Sequence, residues 1–122
     1  QVGLEEAINR SPGELSGGMM RRAALARSLA LDPKLIVYDE PTSGLDPITV
    51  DGIGRLIRRL QQNLGVTSVV VSHDLRLTEH VADRVALLDE ATIAFLGTFQ
   101  EFGQSSNQEA RLFLRPEKES AK

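Results

Sequence analysis

Read by the spacing of its apolar residues, the chain divides into helices and strands in alternation. Residues 16–31, rich in Ala, Leu and Arg, predict a helix that Asp32-Pro33 ends. Leu35-Ile36-Val37-Tyr38 is a continuous apolar run without polar alternation, which predicts a strand covered on both faces in a parallel sheet. The acids Asp39-Glu40 close it. A second helix takes Asp46 as N-cap and Pro47 as its first residue, and Ile53, Leu56, Ile57, Leu60 and Leu64 recur at helical spacing until Gly65 stops it. Residues 66–71 form a β-branched strand, followed by Ser72-His73-Asp74 and a short helix through Ala82. Residues 85–88 and 92–96 predict a hairpin turning at Asp89-Glu90-Ala91, although that turn holds no glycine. Beyond Thr98 the pattern gives one more helix at residues 109–114, then a charged tail after Pro116 that is expected to be mobile. There is no internal repeat or low-complexity linker.

This order of elements predicts an α/β fold with a mostly parallel sheet, and such sheets bind ligands at the carboxyl ends of their strands. The polar residues at those ends are Asp39-Glu40 and Ser72-His73. At 122 residues and 41% hydrophobic content the chain has enough apolar material for the core of one small domain. Its 14 Lys and Arg against 17 Asp and Glu leave a net charge of −3, so no overall positive field holds a polyanion and nucleic acid is not the expected partner. The apolar runs are strand-sized, too short to cross a bilayer, so a membrane connection is expected to run through another protein. The opening Gln1-Val2-Gly3-Leu4 has neither an initiator Met nor a basic-then-apolar leader and reads as a cut edge. The lack of cysteine excludes a disulfide framework and fits a reducing cytosol without requiring one.

Four short segments carry candidate chemistry. In Leu15-Ser16-Gly17-Gly18-Met19 the glycines would let backbone approach a ligand, and the helix that follows offers unpaired N–H groups at its positive end. Equally, Ser16 caps a helix and the glycines make a turn. Asp39 and Glu40 stand at the tip of a buried strand, where one acid can hold magnesium through water and the other can polarise an attacking water. A lone acid pair would more simply end a strand at the surface. Ser43-Gly44-Leu45-Asp46 reads as a tight turn into a capped helix, with or without a further role. His73, taken alone, would be a packed or solvated histidine. Arg21, Arg22 and Arg27, like Arg55, Arg58 and Arg59, read as solvated helix faces, and Leu112-Phe113-Leu114 as a segment packing back on the domain.

Taken together, Leu15-Ser16-Gly17-Gly18, Tyr38-Asp39-Glu40-Pro41-Thr42-Ser43-Gly44-Leu45-Asp46 and Ser72-His73-Asp74 resemble the ABC ATPase family in order and spacing, from about residue 14 to residue 97. The resemblance implies the C-terminal portion of a P-loop-NTPase-like α/β domain, with residues 1–103 as the partial ATPase domain and residues 104–122 as a C-terminal extension, partly helical and then mobile. ATP and Mg²⁺ come with it as implied cofactors. By the same likeness Ser16, Gly17 and Gly18 would contact the γ-phosphate of ATP held by a second subunit, Asp39 would serve Mg²⁺, and Glu40 would act as catalytic base. His73 would sense the γ-phosphate, and Asp46 would couple the two sites of a head-to-tail dimer.

Two departures accompany the likeness. Met19 occupies the fifth signature position, commonly Gln in this family, which puts a polar contact there in doubt. The stretch from Leu15 to Pro33 looks like the ATP-binding subunit of Mla-type phospholipid transporters, which commonly carry Met at that position. The sequence also contains no Gly-x-x-x-x-Gly-Lys-Ser/Thr and no glutamine loop, so the main grip on nucleotide would lie upstream of Gln1. The implied function is the energy-coupling subunit of a transporter, peripheral to the cytoplasmic face of the inner membrane. Its implied partners are a second ATPase copy, a membrane permease and lipid-binding MCE-type and STAS-type subunits. A non-transport ABC ATPase of the DNA-repair or chromosome-maintenance kind shares these motifs, but the long heptad runs that usually flank them are absent from the sequence. A catalytically silent regulatory module is the third reading.

Overall fold

The computed structural model describes residues 17–115, which fall into two compact units divided after Val81. In the first, helix α1 (Gly17–Leu29) leads to strand β1 (Leu35–Asp39), helix α2 (Pro47–Leu64), strand β2 (Thr67–Val71) and helix α3 (Leu75–Val81). Strands β1 and β2 pair in parallel, with Leu35 opposite Thr67 and Asp39 opposite Val71. A parallel pair cannot be closed by a tight turn, and α2 supplies the crossover.

Helix α2 begins and ends where local chemistry dictates. The Asp46 carboxylate accepts from the Thr49 amide at 3.1 Å, satisfying one of the four free N–H groups of the first turn, and Pro47 needs no donor there. Gly65 closes the helix at φ 65° and returns its N–H to the Gln61 carbonyl. Between the caps, Val50, Ile53, Leu56, Ile57 and Leu60 are buried in two groups. Leu56 and Leu60 pack with Leu25, Ile36 and Val66; Val50, Ile53 and Ile57 pack with Leu77 of α3. Tyr38 touches both groups, and burial pushes its phenol up despite the opposing hydrogen bond with Ser68.

Of the two covered faces expected for this strand, one is seen covered among the described residues. Ile36 is buried and Tyr38 half-buried on the helix side, but Leu35, Val37, Val69 and Val71 of β1 and β2 are exposed, Val37 by 62%. Successive side chains of a strand point to opposite faces, and among the described residues helices cover only one face of this pair.

In the second unit, β3 (Val85–Asp89) and β4 (Thr92–Gly97) form the expected antiparallel hairpin, with an irregularity between Leu87 and Leu88. Glu90 and Ala91 make its turn at φ 46° and 62°, the left-handed pair that a two-residue hairpin needs and that glycine usually supplies. Helix α4 (Phe99–Gly103), capped by Thr98, was not apparent in the apolar spacing. Helix α5 (Gln108–Leu114) follows, capped by Asn107, which also donates to the Ala94 carbonyl at 2.7 Å. Phe102 is fully buried with Phe95 and Phe113 at ring distances of 5.3 and 6.1 Å, so the Phe113 ring touches this core while Phe113 and Leu112 both stay exposed, by 38% and 52%. The tail after Pro116 lies outside the described residues.

Candidate functional site at the carboxyl ends of β1 and β2

Parallel pairing places the ends of β1 and β2 side by side. The ladder runs one step past Asp39, because the Glu40 amide donates to the Val71 carbonyl at 2.8 Å. Glu40 then turns the chain at φ 47°, a left-handed conformation uncommon for a residue with a Cβ and held here by its surroundings. The Ser43 amide donates back to the Glu40 carbonyl at 3.3 Å and the Leu45 amide to the Thr42 carbonyl at 3.1 Å, so Glu40 to Asp46 is a chain of tight turns feeding α2.

This bend brings Glu40 to His73. Their side chains meet at 3.1 Å between Oε1 and Nδ1, with the histidine side chain 76% exposed and the glutamate 37%. The pair is open to solvent. Asp39, one residue back, is exposed at the end of β1. Glu40 and Asp39 therefore share a strand end.

Asp46 caps α2, and the two glycines open α1. Both Asp46 carboxylate oxygens are engaged by Thr49, through the amide at 3.1 Å and the hydroxyl at 2.6 Å, and these hydrogen bonds hold its carboxyl below the usual range. Gly17 and Gly18 open α1 against that same corner. A Cβ on Gly18 would come within 2.7 Å of the Thr49 methyl, so a bare backbone is required for α1 to approach α2 there. The glycines are thus explained by packing, whatever else they meet. Arg21 reaches the Ser43 carbonyl at 3.1 Å, so this side chain ties α1 to the turn instead of simply facing water. Ser16 lies outside the described residues.

Two arrangements were not apparent in the sequence. Asp74 caps α3 by accepting from the Arg76 amide at 2.9 Å and the Leu77 amide at 3.3 Å, and it also faces the buried Thr42 hydroxyl at 3.5 Å. An Asp just before a helical pattern was the available signal for the cap; nothing local signals the second contact. Asp51 of α2 takes both nitrogens of a fork from Arg76, at 2.6 and 2.7 Å, and His80 at 2.9 Å. These partners hold the Asp51 carboxyl far below the usual range.

Among the described residues no group of three or more His, Cys, Asp or Glu converges as a metal cage. A cleft of about 190 Å³ beside Tyr38 and Asp39 is below the size of sites that enclose a ligand of nucleotide size.

Comparison with known proteins settles the family. Residues 1–43 match the family model described as ABC transporter. The intermembrane phospholipid transport system ATP-binding protein MlaF of Haemophilus influenzae is 46% identical over 116 residues, covering 95% of this chain and 44% of that protein. The chain belongs to the ABC ATPase family. The methionine import ATP-binding protein MetN of Haemophilus influenzae is 37% identical over 115 residues, covering 93% of this chain and 33% of that protein. The solved structure of cbiO1 from Clostridium perfringens, part of the ABC transporter complex cbiONQ, superposes with a TM-score of 0.80 at 31% identity, over 93% of this chain and 45% of that one. The ABC-type α/β fold is accordingly that of a nucleotide-binding domain. The chain spans less than half the length of the curated relatives it matches.

Proposed function

We propose that this chain supplies the catalytic acids and switch histidine of an ATP-hydrolysing subunit that drives a membrane transporter. The observation that carries the reading is the meeting of Glu40 and His73 at 3.1 Å on the shared end of two parallel strands. Glu40 is the general base that polarises the attacking water, and its exposed carboxylate is within reach of incoming substrate. His73 serves as the sensor of the γ-phosphate, leaving Glu40 for the phosphate when the site closes. Asp39 contributes the magnesium-binding carboxylate, and the ion when bound neutralises charge on the phosphate oxygens. Ser16, Gly17 and Gly18 act on nucleotide held by a second copy in a head-to-tail dimer, and Asp46 links the two sites. The 122 residues by themselves are expected to be inactive, since they contain no phosphate-cradling Gly-x-x-x-x-Gly-Lys-Ser/Thr loop.

A membrane permease follows the opening and closing of the dimer, at the cytoplasmic face of the inner membrane. No helix among the described residues is long and apolar enough to cross a membrane. Phospholipid is the proposed cargo, with lipid-binding MCE-type and STAS-type subunits as further partners. The support is the 46% identity to a phospholipid-transport protein against 37% and 41% to two methionine importers.

The test is a pair of substitutions in the complete protein. Glu40→Gln keeps size and hydrogen-bonding reach but removes the carboxylate, so the hydrolysis rate should fall by about two orders of magnitude or more while the Mg-ATP-bound dimer accumulates. Asp39→Asn should instead weaken the magnesium site and the ATP-bound state with it. Phosphate release and light scattering measure the two effects. Glu40→Gln hydrolysing near the parent rate, or staying monomeric while Asp39→Asn dimerises, would overturn the assignment.

A further inference from the structure

We propose that Thr42 and Asp74 are positioning residues that hold the Glu40 turn and the His73 turn in fixed relation, an inference that rests on the reading of Glu40 as base and His73 as phosphate sensor. The two turns are joined at three levels. The Glu40 amide bonds to the Val71 carbonyl at 2.8 Å, Glu40 Oε1 meets His73 Nδ1 at 3.1 Å, and Thr42 Oγ1 donates to Asp74 Oδ2 at 3.5 Å. They differ in their access to water. The Glu40–His73 pair is exposed, and an exposed pair of long side chains constrains geometry poorly. Thr42 is 3% exposed, so its hydroxyl cannot readily exchange a protein partner for solvent.

Asp74 is itself fixed. Its Oδ1 accepts from the first turn of α3, at 2.9 Å from the Arg76 amide and 3.3 Å from the Leu77 amide, and its own N–H reaches Ser72 Oγ at 3.0 Å. The orientation of Oδ2 toward Thr42 is therefore set by α3. Thr42 in turn lies two residues from Glu40, inside the turn closed by Ser43 N–H on the Glu40 carbonyl. Glu40 holds a φ of 47° that a glutamate does not choose in isolation, so something outside the residue must impose it. The buried Thr42 anchor and the Val71 ladder bond do so from either side. At 3.5 Å the hydroxyl contact is long and contributes direction more than strength. Its predicted signature is accordingly a change in site geometry and turnover, with little change in folding.

In the complete protein, Thr42→Val keeps volume and burial but removes the donor, and Thr42→Ser keeps the donor. Asp74→Ser retains a helix cap but is too short to reach Thr42. With histidine labelled in carbon and nitrogen, and the His73 ring resonances assigned by their loss in His73→Gln, Thr42→Val and Asp74→Ser should each shift or broaden those resonances without nucleotide. Each should also lower kcat about tenfold, below the roughly hundredfold that a 1 Å misplacement can cost, with KM for ATP changed less than about twofold. Thr42→Ser should restore both. Ring resonances and kcat at parent values in both variants would overturn the proposal, as would a spectral change with kcat untouched. If Glu40→Gln still hydrolyses ATP, the catalytic reading fails, while the nucleotide-free spectra still decide whether Thr42 and Asp74 hold the turns together.

Discussion

The two units of this chain each build a two-stranded sheet, and the connection between strands decides what each sheet can do. In the first, the α2 crossover makes β1 and β2 parallel, so both strands deliver their carboxyl ends to one edge. Glu40 and His73, 33 residues apart, meet there. In the second, β3 and β4 are antiparallel, and the end of β3 is consumed by its own turn: the Asp89 carbonyl accepts from Thr92 Oγ1 at 2.8 Å, three residues away. Parallel pairing brings residues distant in sequence to one edge. A hairpin spends the same positions on closing itself.

The cores differ in kind as well, which yields the largest expected stability effects. Phe102 is the centre of an aromatic trio in the second unit, and Phe102→Ala should cost about 3–5 kcal/mol. Leu56, in the aliphatic core beneath β1, should cost about 2–5 kcal/mol on replacement by Ala. Urea unfolding gives the magnitudes, and hydrogen exchange gives the location. Amides of β4, α4 and α5 should lose protection first in the Phe102 variant, and those of α2 first in the Leu56 variant. The reverse assignment would break the comparison between the two cores.

Much of the first unit was legible in the sequence because its signals are local. Asp46-Pro47 and Gly65 mark the ends of α2 through side-chain and backbone chemistry that acts within a few residues, and the observed caps are the ones expected. Glu40 and His73 were legible as strand-end polar residues, and their meeting follows from parallel pairing. Other features depend on partners distant in sequence. Whether β1 has one covered face or two cannot be read from an apolar run, and α4, at five residues, is too short to show a helical period. The Thr42–Asp74 and Asp51–Arg76–His80 contacts span 25 to 32 residues and are created by the packing of α3 on the rest of the unit.

That packing can be probed at smaller scale. A Cβ added to Gly54 would lie 2.8 Å from the Cβ of His80, so Gly54→Ala should force α2 and α3 apart and cost about 1–3 kcal/mol by thermal unfolding. The Asp51 cluster adds a pH-dependent part. Because Arg76 and His80 hold the Asp51 carboxyl below its unfolded value, its contribution is present above about pH 4 and is lost as pH falls through the folded value. Asp51→Asn should therefore reduce stability at neutral pH and flatten the acid limb of the stability profile. An unchanged slope between pH 2 and pH 5 in that variant would remove Asp51 from the account.

The smallest expected effect is at the hairpin turn, where the second unit departs from the usual chemistry. Glu90 and Ala91 both adopt positive φ, and in a two-residue turn Asn-Gly meets that demand with less steric conflict than Glu-Ala. A Cβ in the left-handed region crowds the neighbouring carbonyl, whereas glycine has none and asparagine tolerates the region. Glycine also raises the entropy of the unfolded chain, which offsets part of the relief. The double substitution Glu90→Asn with Ala91→Gly should thus stabilise the hairpin by only about 0.5–1 kcal/mol, through slower exchange of the β3 and β4 amides. The β1–β2 pair provides the internal control, because its α2 crossover contains no such turn and its amides should exchange as before. Faster exchange in β3 and β4 would mean that the Glu-Ala turn is held by contacts of its side chains that outweigh the backbone strain.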